Sequence, residues 1–484
     1  MTNRKTLWFI FILTVIFTIA IGLDLSPYLR GPAPYFPDWR WTYQFTNTFS
    51  KAWFPALALI ALLFFAFTIE KYSDKDFIKR EKRYLWLLFL LSFVFQISII
   101  YYSRAGLGVL VQRILNPGIS GYFTASLSII NISDFMAHYS QNVGSFPMYA
   151  KFHPPGSIEI FYFLEQVIRL FPGIGFLIHY PVHHTDVKVL WSNLLPFQKT
   201  TVVVSAYLMS LLSGLTIFPL YYLSKLTYSV KAALRTSTLF VLIPSVTLFL
   251  PLNDTIFPFF SASALYFFVK GIKEKNNQDM VLAGIILFLG AFFTLTILSL
   301  LFAFLIIYIL SVHKKELMTK KYLLSGIYFS VGFLVLPLLF FVIFYFNSFS
   351  VMQIILTYHE AVIRFRHNPL WLIYNFYDFF VFIGLPLAVI FFVMLREQVL
   401  DLFHKQKIDP LFISFCLMAI SIDVLGTMNG EIGRTWLPFF PLILLPLVNF
   451  LTNRLKLSQS SYLIFLLFQG LQVIILQTFW VTVW

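Results

Sequence analysis

Long runs of apolar residues, separated by short polar segments, recur along the whole chain. Each run has about 17–25 residues, enough for a helix to cross about 30 Å of hydrocarbon. The runs are continuously apolar rather than alternating, which favours helices, whose backbone groups pair within lipid, over an outer-membrane barrel. The pattern predicts an all-α polytopic membrane protein with about 12–14 transmembrane helices, and with non-cytoplasmic loops that carry short surface helices.

The predicted spans lie near residues 7–23, 53–69, 84–102, 155–178, 200–222, 236–252, 255–270, 281–311, 322–346, 373–394, 410–426, 437–451 and 461–480. Residues 281–311 are long enough for two short passes. Because lysines flank that stretch on both sides, we expect a short-helix hairpin that returns to the cytoplasmic side. No repeat or soluble domain interrupts the chain, so residues 1–484 form one predicted transmembrane domain.

Composition agrees with this pattern, since 59% of the residues are hydrophobic, 12% are charged and the mean hydropathy is +0.81. The net charge is +14, but the lysines and arginines cluster in short loops between apolar runs, which is the positive-inside pattern rather than a nucleic-acid surface. We therefore expect membrane lipids and no nucleic acid as partners. Arg4 and Lys5 precede an apolar run without an evident cleavage site, which indicates a retained first span of a multi-pass plasma- or inner-membrane protein.

The charge pattern places two sizeable loops, residues 24–52 and 103–154, on the non-cytoplasmic side. One region breaks the parity of the topology. An odd number of passes must separate His153 outside from Lys225 inside, but only two are predicted. Either 155–178 does not fully cross, or 179–199 contains a short third pass.

Three groups of polar residues fall on the same predicted outer face. Asp254 interrupts a long apolar stretch, His359 and Arg364 lie within helical reach of each other, and Glu431 and Arg434 occupy a short turn. Each residue alone is typical of a loop at headgroup level, but charges near a bilayer are costly, so together they favour a shared site. An arginine braced by a glutamate suits phosphate oxygens.

His153-Pro154-Pro155-Gly156 stands where a mixed loop meets an apolar run, and prolines are tolerated in the first turn of a helix. The segment is either a simple helix start or a basic group held beside a lipid phosphate. An outer aspartate that takes a proton from a hydroxyl, with Arg and His neutralising a departing phosphate, would make a catalytic site. No zinc-type ligand spacing or phosphate-binding glycine loop occurs, so no cofactor is assigned and a divalent cation stays open.

Short motifs occur in a fixed order along most of the chain: Gly121-Tyr122-Phe123-Thr124-Ala125, Asp134-Phe135, Tyr139, Phe152-His153-Pro154-Pro155-Gly156, Pro251 to Asp254, Asn375-Phe376-Tyr377-Asp378-Phe379, and Gly430-Glu431 to Arg434-Thr435-Trp436-Leu437-Pro438. With these motifs the chain resembles the GT-C superfamily of integral-membrane glycosyltransferases, which take a sugar from a polyprenyl-phosphate donor. It is most similar to the protein-mannosyltransferase and aminoarabinose-transferase-like branch.

The resemblance implies a catalytic aspartate in an outer loop near the N-terminus and a basic residue, here His153, beside the lipid phosphate. Relatives often have an acidic residue shortly before the tyrosine that matches Tyr122, but residues 116–120 read Asn-Pro-Gly-Ile-Ser. The chain has therefore either changed its base or lost catalysis. The candidate bases are, in order of preference, Asp134, Asp24 and Asp38.

The implied function is transfer of a single sugar from a polyprenyl-phosphate donor to a lipid, glycan or protein hydroxyl at the non-cytoplasmic face of the cell envelope. The candidate substrate and phosphate contacts are His153, Arg434, Glu431, Arg364, Asp254, Tyr122 and His359. Two alternatives are a flippase for lipid-linked sugars, and a ligase or polymerase that moves whole glycans from a pyrophosphate lipid. A flippase would need polar groups along a path at mid-membrane depth.

Overall fold

The computed structural model describes residues 3–32, 40–171, 185–313, 320–364 and 369–482. Its first twelve α-helices are α1 (Asn3–Gly22), α2 (Trp53–Ile69), α3 (Asp74–Tyr102), α4 (Gly108–Leu115), α5 (Tyr122–Ser126), α6 (Ile132–Ala137), α7 (Tyr139–Asn142), α8 (Gly156–Arg169), α9 (Thr185–Asn193), α10 (Pro196–Gly214), α11 (Ile217–Thr227) and α12 (Val230–Val241).

The helices that follow in these described ranges are α13 (Pro244–Leu248), α14 (Phe257–Glu274), α15 (Asn277–Ala291), α16 (Leu300–His313), α17 (Lys320–Phe344), α18 (Ser348–Ile363), α19 (Trp371–Ile383), α20 (Leu385–Phe403), α21 (Pro410–Val424), α22 (Ile432–Thr435), α23 (Phe440–Asn449) and α24 (Gln459–Phe479). Short 3-10 turns occur at Pro27–Arg30, Phe49–Lys51, Val143–Ser145, Ala150–Phe152, Asn253–Ile256, Leu295–Ser299 and Leu437–Phe439, and a π turn at Phe450–Arg454.

The predicted all-α polytopic class is confirmed. Within the described ranges, eight helical segments are long and apolar enough to cross a membrane: Lys5–Gly22, Phe49–Ile69, Asp74–Tyr102, Pro196–Thr227, Asn253–Glu274, Leu324–Phe344, Leu437–Arg454 and Gln459–Phe479. The pair α19 and α20, bent by 119°, would make a ninth. The lower number than the predicted 12–14 arises because several apolar runs fold as shorter helices, such as Pro410–Val424.

Breaks within two apolar runs shape the middle of the molecule. The run 281–311 folds as α15 and α16 with the turn Leu295–Ser299 between them, and 236–252 divides into α12 and α13. The helix α8 has only 14 residues and is not among the long apolar segments. The predicted third pass in 179–199 falls partly on residues 172–184, which lie outside the described residues.

Two glycines let α15 and α17 pack backbone against backbone. A side chain at Gly284 would collide with the Phe329 carbonyl oxygen, and one at Gly332 with the Val281 carbonyl oxygen. Small residues of this kind allow close approach of helices in lipid, where the hydrophobic effect does not drive their association. The contact fixes α15 against α17.

The outer loop after α1 is tied to the C-terminal end of α24 by a small antiparallel sheet. Strand β1 (Thr42–Tyr43) pairs with β2 (Trp480–Val481), with Thr42 opposite Val481 and Tyr43 opposite Trp480. The pairing holds the neighbouring Trp41, whose ring centroid lies 5.0 Å from that of Phe382. The second long loop, predicted to carry surface helices, contains the short helices α5, α6 and α7, of which α5 is largely buried.

Candidate functional site

Arg434 lies at the centre of a buried group of polar side chains. Its Nη2 donates to Glu431 Oε2 at 2.6 Å, and its Nε lies 3.8 Å from Asp254 Oδ2. The ring of Tyr149 faces the guanidinium, with 5.4 Å between the Arg434 Cζ and the ring centroid. Burial alone would lower the pKa of Arg434, but Asp254 and Glu431 outweigh it and raise that pKa, so the cation is permanent.

The guanidinium still has unused donors. Its Nε is buried without a hydrogen-bond partner, because 3.8 Å exceeds hydrogen-bond distance. Within the described part of the chain, Nη1 donates to no protein acceptor. Unlike Nε, it is not fully buried. Since Nε is buried and faces Asp254, Nη1 is the group with donors that an anionic ligand such as a phosphate can meet.

The loop that carries Arg434 is fixed from behind by Asp378 on α19. The Asp378 carboxylate accepts from Gly433 N at 2.7 Å and from Trp41 Nε1 at 2.9 Å. A side chain at position 433 would meet the Phe382 ring at 2.5 Å, so only glycine fits there. Trp41 and Asp378 therefore position the arginine although they do not contact it, a role that the sequence did not reveal.

Asn375, one turn before Asp378, holds the start of the same loop. Its Oδ1 accepts from Gly430 N at 3.1 Å, and its Nδ2 donates to Asp423 Oδ1 at 2.8 Å. Gly430 has φ +83°, and Glu431 follows at φ +58°, both in the left-handed region. The loop geometry thus depends on side-chain anchors from α19 and α21.

Asp254 sits at the break between α13 and α14. Arg113 Nη1 donates to the carbonyl oxygens of Leu248 (2.6 Å) and Leu250, which have no helical partner at the end of α13. The neighbouring Asn253 donates from Nδ2 to the Ser157 carbonyl at 3.1 Å. These contacts fix the chain just before Asp254, which is 6% exposed.

His153 is held at the mouth of α8 by contacts with the end of α15. Its Nδ1 donates to the Phe293 carbonyl oxygen at 3.3 Å, and Tyr139 Oη donates to the His153 carbonyl at 2.7 Å. Gly156 N donates to the Phe292 carbonyl at 3.0 Å, and a side chain at Gly156 would approach that oxygen within 2.6 Å. The Pro-Pro-Gly segment therefore docks one helix against another.

Burial, with smaller contributions from His359 and Arg434, lowers the pKa of His153 to about 3. The imidazole is therefore neutral at physiological pH, and since Nδ1 donates to Phe293, Nε2 presents a lone pair. Tyr122 packs edge-on against this ring with centroids 5.4 Å apart, and lies within electrostatic range of Asp254 and Arg434. Burial raises the pKa of Tyr122 well above its ordinary value.

The structure does not bring all the predicted residues together. His359 reaches the group, since its Nε2 lies 3.2 Å from the Phe152 carbonyl oxygen beside His153. Arg364 instead lies exposed and pairs with Glu360 at 2.7 Å.

The two predicted bases that the structure describes, Asp134 and Asp24, are not placed at Arg434. Asp134 is exposed and pairs with His138 at 3.0 Å. It is among the residues that line a cavity of about 680 Å³. Asp24 accepts two hydrogen bonds from Arg30, at 2.9 and 3.0 Å. Asp38 lies outside the described residues. Over those residues, no group of three or more His, Cys, Asp or Glu side chains is arranged to hold a metal ion.

Residues 192–345 match the family described as dolichyl-phosphate-mannose-protein mannosyltransferase. This match confirms the resemblance to the GT-C superfamily. It covers about a third of the chain and supports a membrane glycosyltransferase that takes its sugar from a polyprenyl-phosphate donor. No curated protein gives a significant match.

The part of this GT-C-like chain that matches includes Asp254, whereas Tyr122, His153 and Arg434 lie outside it. The fold is what joins the matched segment to the other polar residues.

Proposed function

We propose that the chain transfers one sugar from a polyprenyl-phosphate donor to a hydroxyl group of a lipid, glycan or protein at the non-cytoplasmic membrane face. The observation that carries the proposal is the convergence of Tyr122, His153, Asp254 and Arg434, from four distant segments, around one guanidinium with open donors. The family match supports a donor of this class.

In this proposal Arg434 binds the donor phosphate through its open edge while Glu431 holds its other side. As the bond between sugar and phosphate breaks, negative charge grows on the phosphate oxygen, and a fixed arginine stabilises it without reorganisation. A neutral His153 contacts the phosphate only after protonation at Nε2, which the charge of the bound phosphate favours. His359 and Tyr122 line the same space.

The direct test uses the purified chain in proteoliposomes with radiolabelled polyprenyl-phosphate mannose, the sugar that the matched family's description names. Three acceptors cover the hydroxyl classes: octyl glucoside, phosphatidylglycerol and a Ser/Thr peptide, with native membranes as a fourth source. We expect a labelled product with at least one of them. Movement of the donor between leaflets without product would instead support the transport alternative. If neither product nor donor movement is detected, both hypotheses are refuted.

Arg434→Lys keeps a positive charge but removes the fork, and we expect about 10²–10³-fold slower transfer, as for loss of a donor to a developing oxyanion. Arg396→Gln is the matched control, because Arg396 is exposed and pairs only with its neighbour Glu397 at 2.9 Å. Equal activity of the Arg434→Lys variant and the control would contradict the assigned role.

Sidedness is tested with single cysteines in a Cys416→Ser background. Two exposed residues are each changed to Cys. Ile130 is 96% exposed in the loop 103–154, and Phe403 is 78% exposed within the basic segment 396–407. With an impermeant maleimide on intact cells, we expect labelling of Ile130→Cys and no labelling of Phe403→Cys until the membrane is permeabilised. The reverse pattern would place the site on the cytoplasmic side.

A further inference from the structure

Two carboxylates that the sequence favours as the base, Asp24 and Asp134, are engaged elsewhere. Asp24 accepts both of its side-chain hydrogen bonds from Arg30. Asp134 has a side chain 74% exposed and is paired with His138. Neither contacts Arg434, so among the described residues the carboxylates beside Arg434 are the ones to compare as bases.

Two carboxylates do flank the guanidinium, and their contacts differ. Glu431 Oε2 accepts from Arg434 Nη2 at 2.6 Å, a short charge-assisted hydrogen bond. Asp254 Oδ2 lies 3.8 Å from Arg434 Nε, which is an electrostatic contact without a hydrogen bond. Glu431 is thus committed to holding the arginine, while the oxygens of Asp254 keep their lone pairs.

The Asp254 side chain is 9% exposed, beside the guanidinium of Arg434. In the part of the chain that the structure describes, this carboxylate accepts no hydrogen bond from another residue. Its oxygens are also not among the fully buried side-chain atoms that lack a hydrogen-bond partner. The chain just before Asp254 is fixed, because Arg113 caps the end of α13 and Asn253 bonds to Ser157. A rigidly held carboxylate with free lone pairs beside a phosphate-binding arginine has the geometry of a general base.

We propose that Asp254 accepts the proton of the acceptor hydroxyl during transfer. This inference rests on the proposed function. The acceptor oxygen forms a bond to the anomeric carbon and gives its proton to Asp254. The bond from that carbon to the phosphate oxygen breaks, and its electron pair leaves with polyprenyl phosphate, beside Arg434. The proton then passes to water, which returns the carboxylate.

The experiment compares Asp254→Asn with Asp24→Asn and Asp134→Asn in the proteoliposome assay. Loss of a general base typically slows reaction by about 10²–10⁴-fold, so we expect kcat to fall at least about 100-fold in Asp254→Asn only. Binding of polyprenyl phosphate, followed by thermal shift, should stay within about threefold of the unsubstituted chain. Comparable kcat in Asp254→Asn and the unsubstituted chain, or an equal loss in all three variants, would overturn the inference.

Two further variants separate chemistry from folding. Asp254→Ala leaves room for a small carboxylate, and we expect added formate to restore part of the transfer, whereas chloride at equal ionic strength does not. Asp254→Glu keeps the carboxyl group and should retain more activity than Asp254→Asn. Unfolding of all the Asp254 variants would mean a structural role and overturn the inference. Absence of transfer by the unsubstituted chain would count against the proposed function itself.

Discussion

The hydrogen bond between Trp41 and Asp378 joins the loop after α1 to α19, and Asp378 in turn holds the loop that carries Arg434. The strength of this hydrogen bond can be measured. Asp378 accepts from Trp41 Nε1 and Gly433 N, and is 6% exposed. Asp378→Asn keeps one acceptor oxygen and turns an amide NH₂ toward one of the two donors. One hydrogen bond to a carboxylate is then lost, which costs about 1.5–3 kcal/mol.

Removal of the indole should erase most of that cost. In a Trp41→Phe background, the asparagine can direct its oxygen to Gly433 N, so only one donor needs an acceptor. The double-mutant cycle therefore predicts a coupling free energy of about 1.5–3 kcal/mol between positions 41 and 378. Ring packing lost with Trp41→Phe cancels in the cycle because it is common to both arms.

The cycle is measured by thermal unfolding of the four proteins in one detergent. Trp86→Phe is the control, since Trp86 is 53% exposed on α3, and its coupling to Asp378→Asn should stay within about 0.5 kcal/mol. We also expect Asp378→Asn to raise the apparent KM for the donor, because Gly433 N fixes the loop that carries Arg434. A coupling below about 0.5 kcal/mol between Trp41 and Asp378 would refute the reasoning.

Three more predictions concern the supports of the site. Gly156→Ala should destabilise the chain by about 1–3 kcal/mol, because the new methyl group meets the Phe292 carbonyl at 2.6 Å; an unchanged Tm would show that α8 does not dock there. The pKa of His153 is about 3 when folded and about 6.5 when unfolded, so only the unfolded chain takes up a proton between these values. Unfolding free energy should then fall by about 2 kcal/mol from pH 7 to pH 5, and His153→Gln should flatten that slope in a pH series of thermal scans. Arg113→Met leaves the Leu250 carbonyl without this donor, at about 1–3 kcal/mol, whereas the Leu248 carbonyl still accepts from Thr482 Oγ1 at 3.0 Å; a Tm equal to that of the unsubstituted chain would contradict the capping role.

The apolar pattern predicted the class of fold because helix length and hydrophobicity are properties of contiguous sequence. The two helices within 281–311 were expected from the length of that run, but the packing of α15 against α17 was not, since it depends on glycines that meet the other helix only in the fold. Gly284, for example, has no local feature that shows its contact with Phe329.

The site was predicted in part. Glu431 and Arg434 were paired correctly because they are three residues apart, and the position of Asp254 in an apolar run marked it as unusual. Asp378 and Trp41 were missed as positioning residues, since they are 337 positions apart and meet only through the fold. The ranking of Asp134 came from the resemblance, which cannot show that this carboxylate turns to solvent.

The small sheet between β1 and β2 has a consequence for the order of events during synthesis. Thr42 pairs with Val481, so about 440 residues must be made after the first strand before its partner exists. At about 5–20 residues per second, the loop after α1 waits roughly 20–90 s without this anchor. Trp41 can take its final place only when the last helix has been inserted. The pairing that ties the loop after α1 to the end of α24 is therefore among the last contacts that a nascent chain can make.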